Sequence, residues 1–530
     1  MREGTLGWGS MVFTNERTWL NAVEAGKTEE FHQAYEAAVE KVQQEFGRKH
    51  PMYIDGKEVW ARETFKDASP IHTKLVLGIF QKGSRQHAKQ AVAAARKAFP
   101  KWSETPWQER IRIFRRAADI ISERKFSYSA LMSFENGKNR FEAFADVDET
   151  ADLVRWYCEE MEVNRGYEYE MGMFMAGEKT KSVLKPYGVW ASVAPFNFPF
   201  AIACGMSAGA MITGNTVAFK PASDTPYMGW EICKLLHEAG LPPGVFNYVT
   251  GPGSTVGQEL VENEGIDGFV FTGSRDVGLK AFRSVNRKFP KPIITELGGK
   301  NPTIVTATAD LNRAALGTMR AAFGFGGQKC SACSRVLVDR RVKKAFLERL
   351  VAETKKIKVG DPTRRDVYLG PVINEAAVKT YAKAIADVKK SRGKILAGGK
   401  VLGGHGHFVE PAIVDGLPRS HRVNKEELFV PVLSVIEVDG MEDALEVAND
   451  VDYGLTAGIM TGDPADVDRF FREMHAGVVY SNRAAGSTTG AVVAVQPFGG
   501  WKMSGISGKA AGGYFYLPQF MREQSQSRYS

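Results

Sequence analysis

Gly326-Gly327-Gln328-Lys329-Cys330-Ser331-Ala332-Cys333-Ser334-Arg335 follows, about thirty residues later, the stretch Glu296-Leu297-Gly298-Gly299-Lys300. Cys330 comes just after a glycine pair and in an apolar setting that includes Phe323 and Phe325, which makes it a candidate nucleophile. Glu296 is preceded by Ile293-Ile294-Thr295 and followed by Leu297, residues that normally go inside. A carboxyl so placed is a candidate base whose pKa burial would raise. A thiol that forms a covalent intermediate and a carboxylate that later activates water are the minimum set for oxidising an aldehyde through a thioester.

Outward from these stretches the chain alternates between strand and helix. Before Glu296, strand-like apolar runs at 189–194, 215–219, 245–249 and 268–272 are separated by helical patterns at 201–211, 227–239 and 254–263. After it come a strand at 302–306, a helix at 311–322, a strand at 335–338, a helix at 341–356 and further alternation to about 480. This is the pattern of βαβ units and a parallel sheet, so the fold class is α/β. Earlier, 29–47 predicts an amphipathic helical arm ending at Gly47, Pro51–Lys57 reads as strand and turn, and helices follow at 85–99, 108–123 and 142–163. No repeat or low-complexity tract is present.

Composition bounds the function. At 530 residues the chain exceeds one ordinary core, so two or three domains are expected. With 44% hydrophobic and 25% charged residues and 54 glycines it reads as globular and loop-rich. The net charge of +8 is dispersed among 61 acids, which favours dinucleotide and carboxylate ligands over nucleic acid. Five cysteines form an odd, sparse set that argues for a reducing, cytoplasmic setting, and no secretory signal is evident at Met1-Arg2-Glu3-Gly4. The uncharged run between Lys185 and Lys220 is interrupted by Pro195, Asn197 and Pro199, so a buried strand, loop and helix explain it better than a membrane span. Cys330 and Cys333 have the spacing of a redox or half-zinc motif, but without a second pair or a histidine cluster nearby no metal site is expected; Cys333 reads as a small buried residue behind the nucleophile.

The two opening motifs resemble the aldehyde dehydrogenase superfamily, and the form Gly-Gly-Gln-Lys-Cys-Ser-Ala-Cys-Ser-Arg resembles its 1-pyrroline-5-carboxylate (glutamate semialdehyde) branch; the resemblance runs from about Phe13 to near the C-terminus. It implies a helical arm (1–50), a Rossmann-like dinucleotide domain (51–166 and 185–295) and an α/β catalytic domain (296–480). A small bridging and oligomerisation element (167–184 and 505–530) and a substrate anchor loop region (481–504) complete it. Asn197, in Pro195-Phe196-Asn197-Phe198-Pro199, is then implied as the amide donor to a developing oxyanion, beside Cys330 and Glu296.

For the cofactor, Phe271-Thr272-Gly273-Ser274 runs from a strand end into a helix start, where backbone N–H groups suit a pyrophosphate. Gly251-Pro252-Gly253-Ser254-Thr255-Val256-Gly257 has the glycine character of a phosphate loop, though one residue longer than the dinucleotide fingerprint, and a plain glycine turn reads equally well. The resemblance implies cofactor contacts at Phe196, Lys220, Ser223, Gly253, Gly257, Thr272, Gly273, Ser274 and Leu297, with Glu427 and Phe429 at the nicotinamide end. NAD is expected. The family commonly has a glutamate where Ser223 stands; its loss removes a carboxylate that would repel a 2′-phosphate, which leaves NADP as an alternative. The family also usually has glycine in place of Val430, so the loop geometry there should differ.

Substrate choice falls to the turn at Gly490 and Ala491, whose N–H groups with Ser331 would hold a carboxylate, while Phe198 and Phe498 wall the aliphatic part. The segment 483–487 is longer than the branch leads one to expect. Glu142 resembles a substrate-side position; taken alone it reads as an exposed helix glutamate. The implied activity is NAD(P)-dependent oxidation of L-glutamate γ-semialdehyde to glutamate in proline catabolism, by a homo-oligomer that works with a separate proline dehydrogenase. An aldehyde dehydrogenase for another small aldehyde, a coenzyme-A-acylating relative and a catalytically silent scaffold remain the alternatives.

Overall fold

The computed structural model describes residues 13–483 and 492–529. Two seven-stranded sheets carry the fold. The first holds Met52–Ile54 (β1), Lys57–Val59 (β2), Val189–Val193 (β3), Thr216–Lys220 (β4), Phe246–Tyr248 (β5), Gly268–Thr272 (β6) and Ile293–Glu296 (β7), in the order β7-β6-β3-β4-β5-β1-β2. The strands from β7 to β5 are parallel, and β4 and β6 are buried along their whole length, as a sheet covered on both faces requires. The hairpin β1–β2 joins antiparallel through Asp55 and Gly56, whose φ of 52° and 75° meet the left-handed demand of a two-residue turn.

The second sheet holds Asn301–Val305 (β8), Cys333–Asp339 (β9), Lys394–Ala397 (β10), Ala412–Asp415 (β11), Val432–Val438 (β12), Thr456–Met460 (β13) and Val478–Ser481 (β14), ordered β10-β11-β12-β9-β8-β13-β14. Only the β10–β11 pairing in it is antiparallel. A third, three-stranded antiparallel sheet joins Glu168–Glu170 and Met521–Tyr529 to the two edges of Glu178–Pro186, with Met521 opposite Pro186 and Tyr529 opposite Glu178.

Three of the helices are Arg140–Val163 (α1), Ala201–Ile212 (α2) and Pro226–Glu238 (α3). The apolar run before Lys220 is β3, a loop, α2 and β4; every residue of α2 except Ile202 is buried. Among the described residues no helix is long and apolar enough to cross a membrane. The first sheet reverses its direction of growth at β3, with β4 on one side and β6 on the other, and ligands of such sheets bind in the crevice at the C-terminal strand ends there. Asn197 follows β3, Lys220 closes β4 and Ser274 follows β6.

Two local expectations need correction. The helix ending near Pro100 runs from Arg85 to Glu104 with the proline inside it. The helix expected over 254–263 is a π-turn at Gly253–Gly257 followed by a short α-helix, Gln258–Glu262. A further helix, Lys125–Asn136, has no amphipathic stripe to announce it, because Tyr128–Asn136 is buried all round.

Candidate active site

Cys330 lies on the loop between the helix Leu311–Phe323 and β9. Phe325, Gly326 and Gly327 take φ of 47°, 63° and 67°, a left-handed run that turns the chain back on itself. A Cβ on Gly327 would come within 2.9 Å of the Val430 carbonyl, so that position requires glycine. Phe325 pays a left-handed penalty of about 1–2 kcal/mol, and its N–H donates to Glu142 Oε2 at 2.9 Å. Gln328 ties the turn down: its Nε2 donates to the Phe325 carbonyl (3.2 Å) and its Oε1 accepts from Ile373 N (2.8 Å). Asn301 Nδ2 donates to the carbonyls of Cys330 (2.7 Å) and Ala332 (2.9 Å). Cys330 is thus held by its backbone, and no hydrogen bond donated by its thiol is seen among the described residues.

Cys330 is buried, with 8% of the residue exposed. Burial pushes its pKa up, and the carboxyls of Glu296 and Glu427 push the same way. Glu296 ends β7, opposite Thr272 of β6. Its Oε2 is buried with no hydrogen-bond partner among the described residues, and burial raises its pKa well above the carboxylate range. Ser504 fixes this corner: its carbonyl accepts from Leu297 N (2.8 Å) and its hydroxyl donates to the Gly298 carbonyl (2.7 Å). Asn197 is buried, and Asn136 Nδ2 donates to the neighbouring Phe196 carbonyl at 3.3 Å.

The residues expected on the cofactor side are placed as follows. Glu427 Oε1 accepts from Gly299 N at 2.8 Å, and a Cβ on Gly298 would lie 2.0 Å from Glu427 Oε2. Burial brings the Glu427 carboxyl up to about 7. Phe429 meets Phe196 edge to face at 5.7 Å. Val430 is buried in the core, and it is Phe429 that takes the left-handed backbone, with φ of 57°. Lys220 is buried, and its Nζ donates only to the Pro221 carbonyl (3.0 Å) among the described residues. Beside it, Gly253 has open space where a side chain would be, and a Cβ on Gly257 would sit 3.8 Å from Lys220 Cδ. Thr272 Oγ1 contacts Met206 Sδ, and Gly273 N donates to the Glu296 carbonyl. Ser274 stands at the N-cap of Arg275–Val285 without a side-chain capping bond. A buried ammonium lacking an anionic partner at contact distance, next to an open glycine turn and a helix start, fits a dinucleotide. Ser223 is exposed.

On the substrate side, Ser331 is buried beside the nucleophile and its carbonyl accepts from Thr456 Oγ1 (3.1 Å). Phe198 and Phe498 are half-buried. Gly490 and Ala491, and all of the 483–487 segment except Arg483, lie outside the described residues. Glu142 is not an exposed helix glutamate: its Oε1 accepts from Lys329 Nζ at 2.8 Å, one residue from the nucleophile. Among the described residues no group of three or more histidine, cysteine or acidic side chains could hold a metal ion.

Three buried charged residues with no role assigned from sequence also lie at these segments. Lys138 and Asp146 form a fully buried pair at 2.7 Å, and Asp146 Oδ1 accepts from Ala201 N at the start of α2. Lys300 has a buried Nζ with no partner among the described residues, and burial lowers its pKa to about 7. Lys138 and Lys300 each follow a glycine next to a site motif, but charge type alone does not tell a buried lysine from a solvated one.

The chain belongs to the aldehyde dehydrogenase family, whose model matches residues 58–525, and has that family's α/β fold. It is 38% identical over 500 residues to the 1-pyrroline-5-carboxylate dehydrogenase of Geobacillus sp. (strain WCH70), covering 93% of this chain and 96% of that one. Among solved structures it is similar to 1-pyrroline-5-carboxylate dehydrogenase from Thermus with bound NAD (TM-score 0.93, 38% identity, 98% of this chain and 99% of that one). It is also similar to proline utilization A from Bdellovibrio bacteriovorus (TM-score 0.92, 34% identity), of which it spans 53% while 98% of this chain is covered.

Proposed function

We propose that this protein oxidises L-glutamate γ-semialdehyde, the open form of 1-pyrroline-5-carboxylate, to L-glutamate with NAD as cofactor. The observation that carries the chemistry is the buried Cys330 thiol within electrostatic reach of Glu296, whose Oε2 has no hydrogen-bond partner among the described residues. The substrate follows from near-full-length similarity to proteins of that name.

Cys330 Sγ loses its proton to solvent water and, as the thiolate, bonds to the aldehyde carbon, whose oxygen becomes an oxyanion. The Asn197 amide and the Cys330 N–H donate to that oxyanion. Lys220, Gly253, Gly257, Thr272, Gly273, Ser274, Leu297, Glu427, Phe429 and Phe196 would hold the dinucleotide, which when bound would supply the acceptor for the hydride that leaves the aldehyde carbon. The aldehyde carbon is left as a thioester on Cys330. Glu296 then takes a proton from water at its free oxygen; the water oxygen attacks the thioester carbon, the C–S bond breaks and the thiolate leaves. A carboxyl that burial holds protonated at low pH is ionised only at higher pH, and in a dry site its basicity is strong. Ser331, Gly490, Ala491, Phe198, Phe498 and Glu142 make up the substrate wall in this account.

We place the protein in the cytoplasm, where its five free cysteines stay reduced, as a homo-oligomer built through the exposed third sheet. A separate proline dehydrogenase supplies its substrate, in keeping with the chain's matching about half of proline utilization A. The test is initial rates with pyrroline-5-carboxylate and with simple aldehydes, each with NAD and with NADP. A kcat/KM for glutamate semialdehyde no better than that for a plain five-carbon aldehyde would reduce the protein to a general aldehyde dehydrogenase.

A further inference from the structure

Arg140 opens α1 and is almost wholly buried, yet nothing in the reaction above uses it. Its guanidinium lies 4.5 Å from the centroid of the Tyr35 ring, on the arm helix Thr28–Gln43. Nη2 donates to the Thr363 carbonyl at 2.6 Å, and Nη1 meets His32 Nδ1 at 2.8 Å. A guanidinium has donors only, so His32 Nδ1 carries its lone pair here and the ring is neutral, with its proton on Nε2. The other charges facing His32 are Arg365, Glu29 and Glu36, and the rings of Trp19, Phe31 and Phe141 pack around it. Both acids are already engaged: Arg365 donates to Glu36 Oε1 at 2.6 Å and to Glu29 Oε2 at 2.8 Å, while Glu36 comes no nearer to Arg140 than 3.4 Å. Burial and the two guanidinium groups hold the His32 pKa below its ordinary value.

Arg140 also sits among the residues that hold the nucleophile loop. Asn139, just before it, caps α1 by accepting from Phe141 N and Glu142 N, and its Nδ2 donates to the Tyr368 carbonyl at 2.7 Å. Glu142, two residues after it, accepts from Phe325 N and Lys329 Nζ. The arm, the 361–368 segment and the first turn of α1 therefore meet at one guanidinium. A proton added to His32 Nδ1 would set an N–H against an N–H and a second cation beside a buried one, a conflict that withdrawal of the arm relieves.

We propose that His32 and Arg140 are positioning residues: through them the N-terminal arm steadies the first turn of α1, and with it Glu142 and the Cys330 loop, and it does so only while His32 is neutral. The proposal rests on the reading of Cys330 as the nucleophile. The closed arm disfavours a proton on His32 and the released arm accepts one, so a fall in pH below the ordinary histidine value of about 6.5 favours release.

Hydrogen–deuterium exchange of the purified full chain between about pH 5.5 and 8, with steady-state kinetics alongside, tests it. The readout is protection of the Phe325 amide. His32→Asn keeps an acceptor that does not titrate, and His32→Lys installs a permanent cation. At about pH 8, His32→Asn should match the wild type, whereas His32→Lys should lose about tenfold in protection and about tenfold in kcat with NAD affinity unchanged. As the pH falls below about 6.5 the wild type should move toward His32→Lys, and His32→Asn should not. Glu296 and Cys330 titrate in all three proteins, so the difference between wild type and His32→Asn at each pH isolates His32. Superimposable pH profiles for those two, or lost protection confined to the arm with Phe325 unchanged, would overturn the proposal. The comparison of those two also serves if His32→Lys does not fold. The exchange needs neither aldehyde nor dinucleotide, so a wrong substrate leaves it intact, and activity in Cys330→Ala would sink the nucleophile reading while the exchange result stood.

Discussion

The ammonium of Lys138 sits 3.7 Å from the centroid of the Phe198 ring and 5.1 Å from that of Phe325. One ring neighbours Asn197 and the other belongs to the loop of Cys330, so a single buried cation spans both halves of the site. Asp146 balances the charge and also holds the first N–H of α2. The pair is therefore a brace between the oxyanion loop and the nucleophile loop, built where a cation, a carboxylate and two aromatic faces satisfy one another.

Lys138→Met should cost about 3–5 kcal/mol of stability, because it strands Asp146 in the interior. The double variant Lys138→Met/Asp146→Asn should recover much of the melting temperature. It should still show a lower kcat and a higher KM for the aldehyde, with NAD affinity unchanged. Full activity in a double variant that folds would make the pair purely structural.

Cys330→Ala should abolish aldehyde oxidation and leave dinucleotide binding intact, whereas Cys333→Ala should retain most activity. Cys333 is buried with its Sγ turned to the Arg335 carbonyl. Dinucleotide titration and steady-state assay of both variants check this, and an essential Cys333 would reverse the assignment.

Glu296→Gln should block hydrolysis of the thioester and give a single burst of NADH. The pH dependence has a definite sign. Both Glu296 and Cys330 have raised pKa values, so each stays protonated to higher pH than usual and loses its proton as the pH rises. Deacylation should accordingly slow as the pH falls through the raised Glu296 pKa. Stability contributed by the same two neutral groups should decline as the pH rises through those values. Rapid-mixing absorbance measurements across the pH range would show both the burst and the slope, and steady turnover near the wild-type rate would remove Glu296 as the base.

Glu142→Gln keeps the shape of the side chain but weakens its hold on Lys329 Nζ and Phe325 N. The Cys330 loop should loosen, lowering kcat on the order of tenfold to a hundredfold while the melting temperature changes little. Iodoacetamide should alkylate Cys330 faster in the variant. An alkylation rate equal to wild type would mean that Glu142 does not position the loop.

The alternation of apolar runs and helical patterns was enough to give the α/β class, because burial on both faces of a parallel sheet writes itself into β4 and β6 as consecutive apolar residues, Val217–Phe219 and Phe269–Phe271. It did not show Lys125–Asn136, whose burial on every side removes the helical stripe. Nor did it show that Pro100 would be carried inside a helix, since that depends on what the last turn packs against.

The sequence by itself determined the candidates for the reacting groups: Cys330, Glu296 and Asn197 stand out because their local motifs pair unusual residue types with glycines and prolines. Only the tertiary structure decided what surrounds them. Glu142 reads locally as a surface glutamate, yet lies against Lys329, 187 residues away. Asp224 reads as a loop acid, yet Asn374 anchors it from 150 residues further along the chain. The physical reason is the same for both. A side chain's chemistry is local, but its burial, its partner and so its charge state belong to whichever distant segment the fold packs beside it.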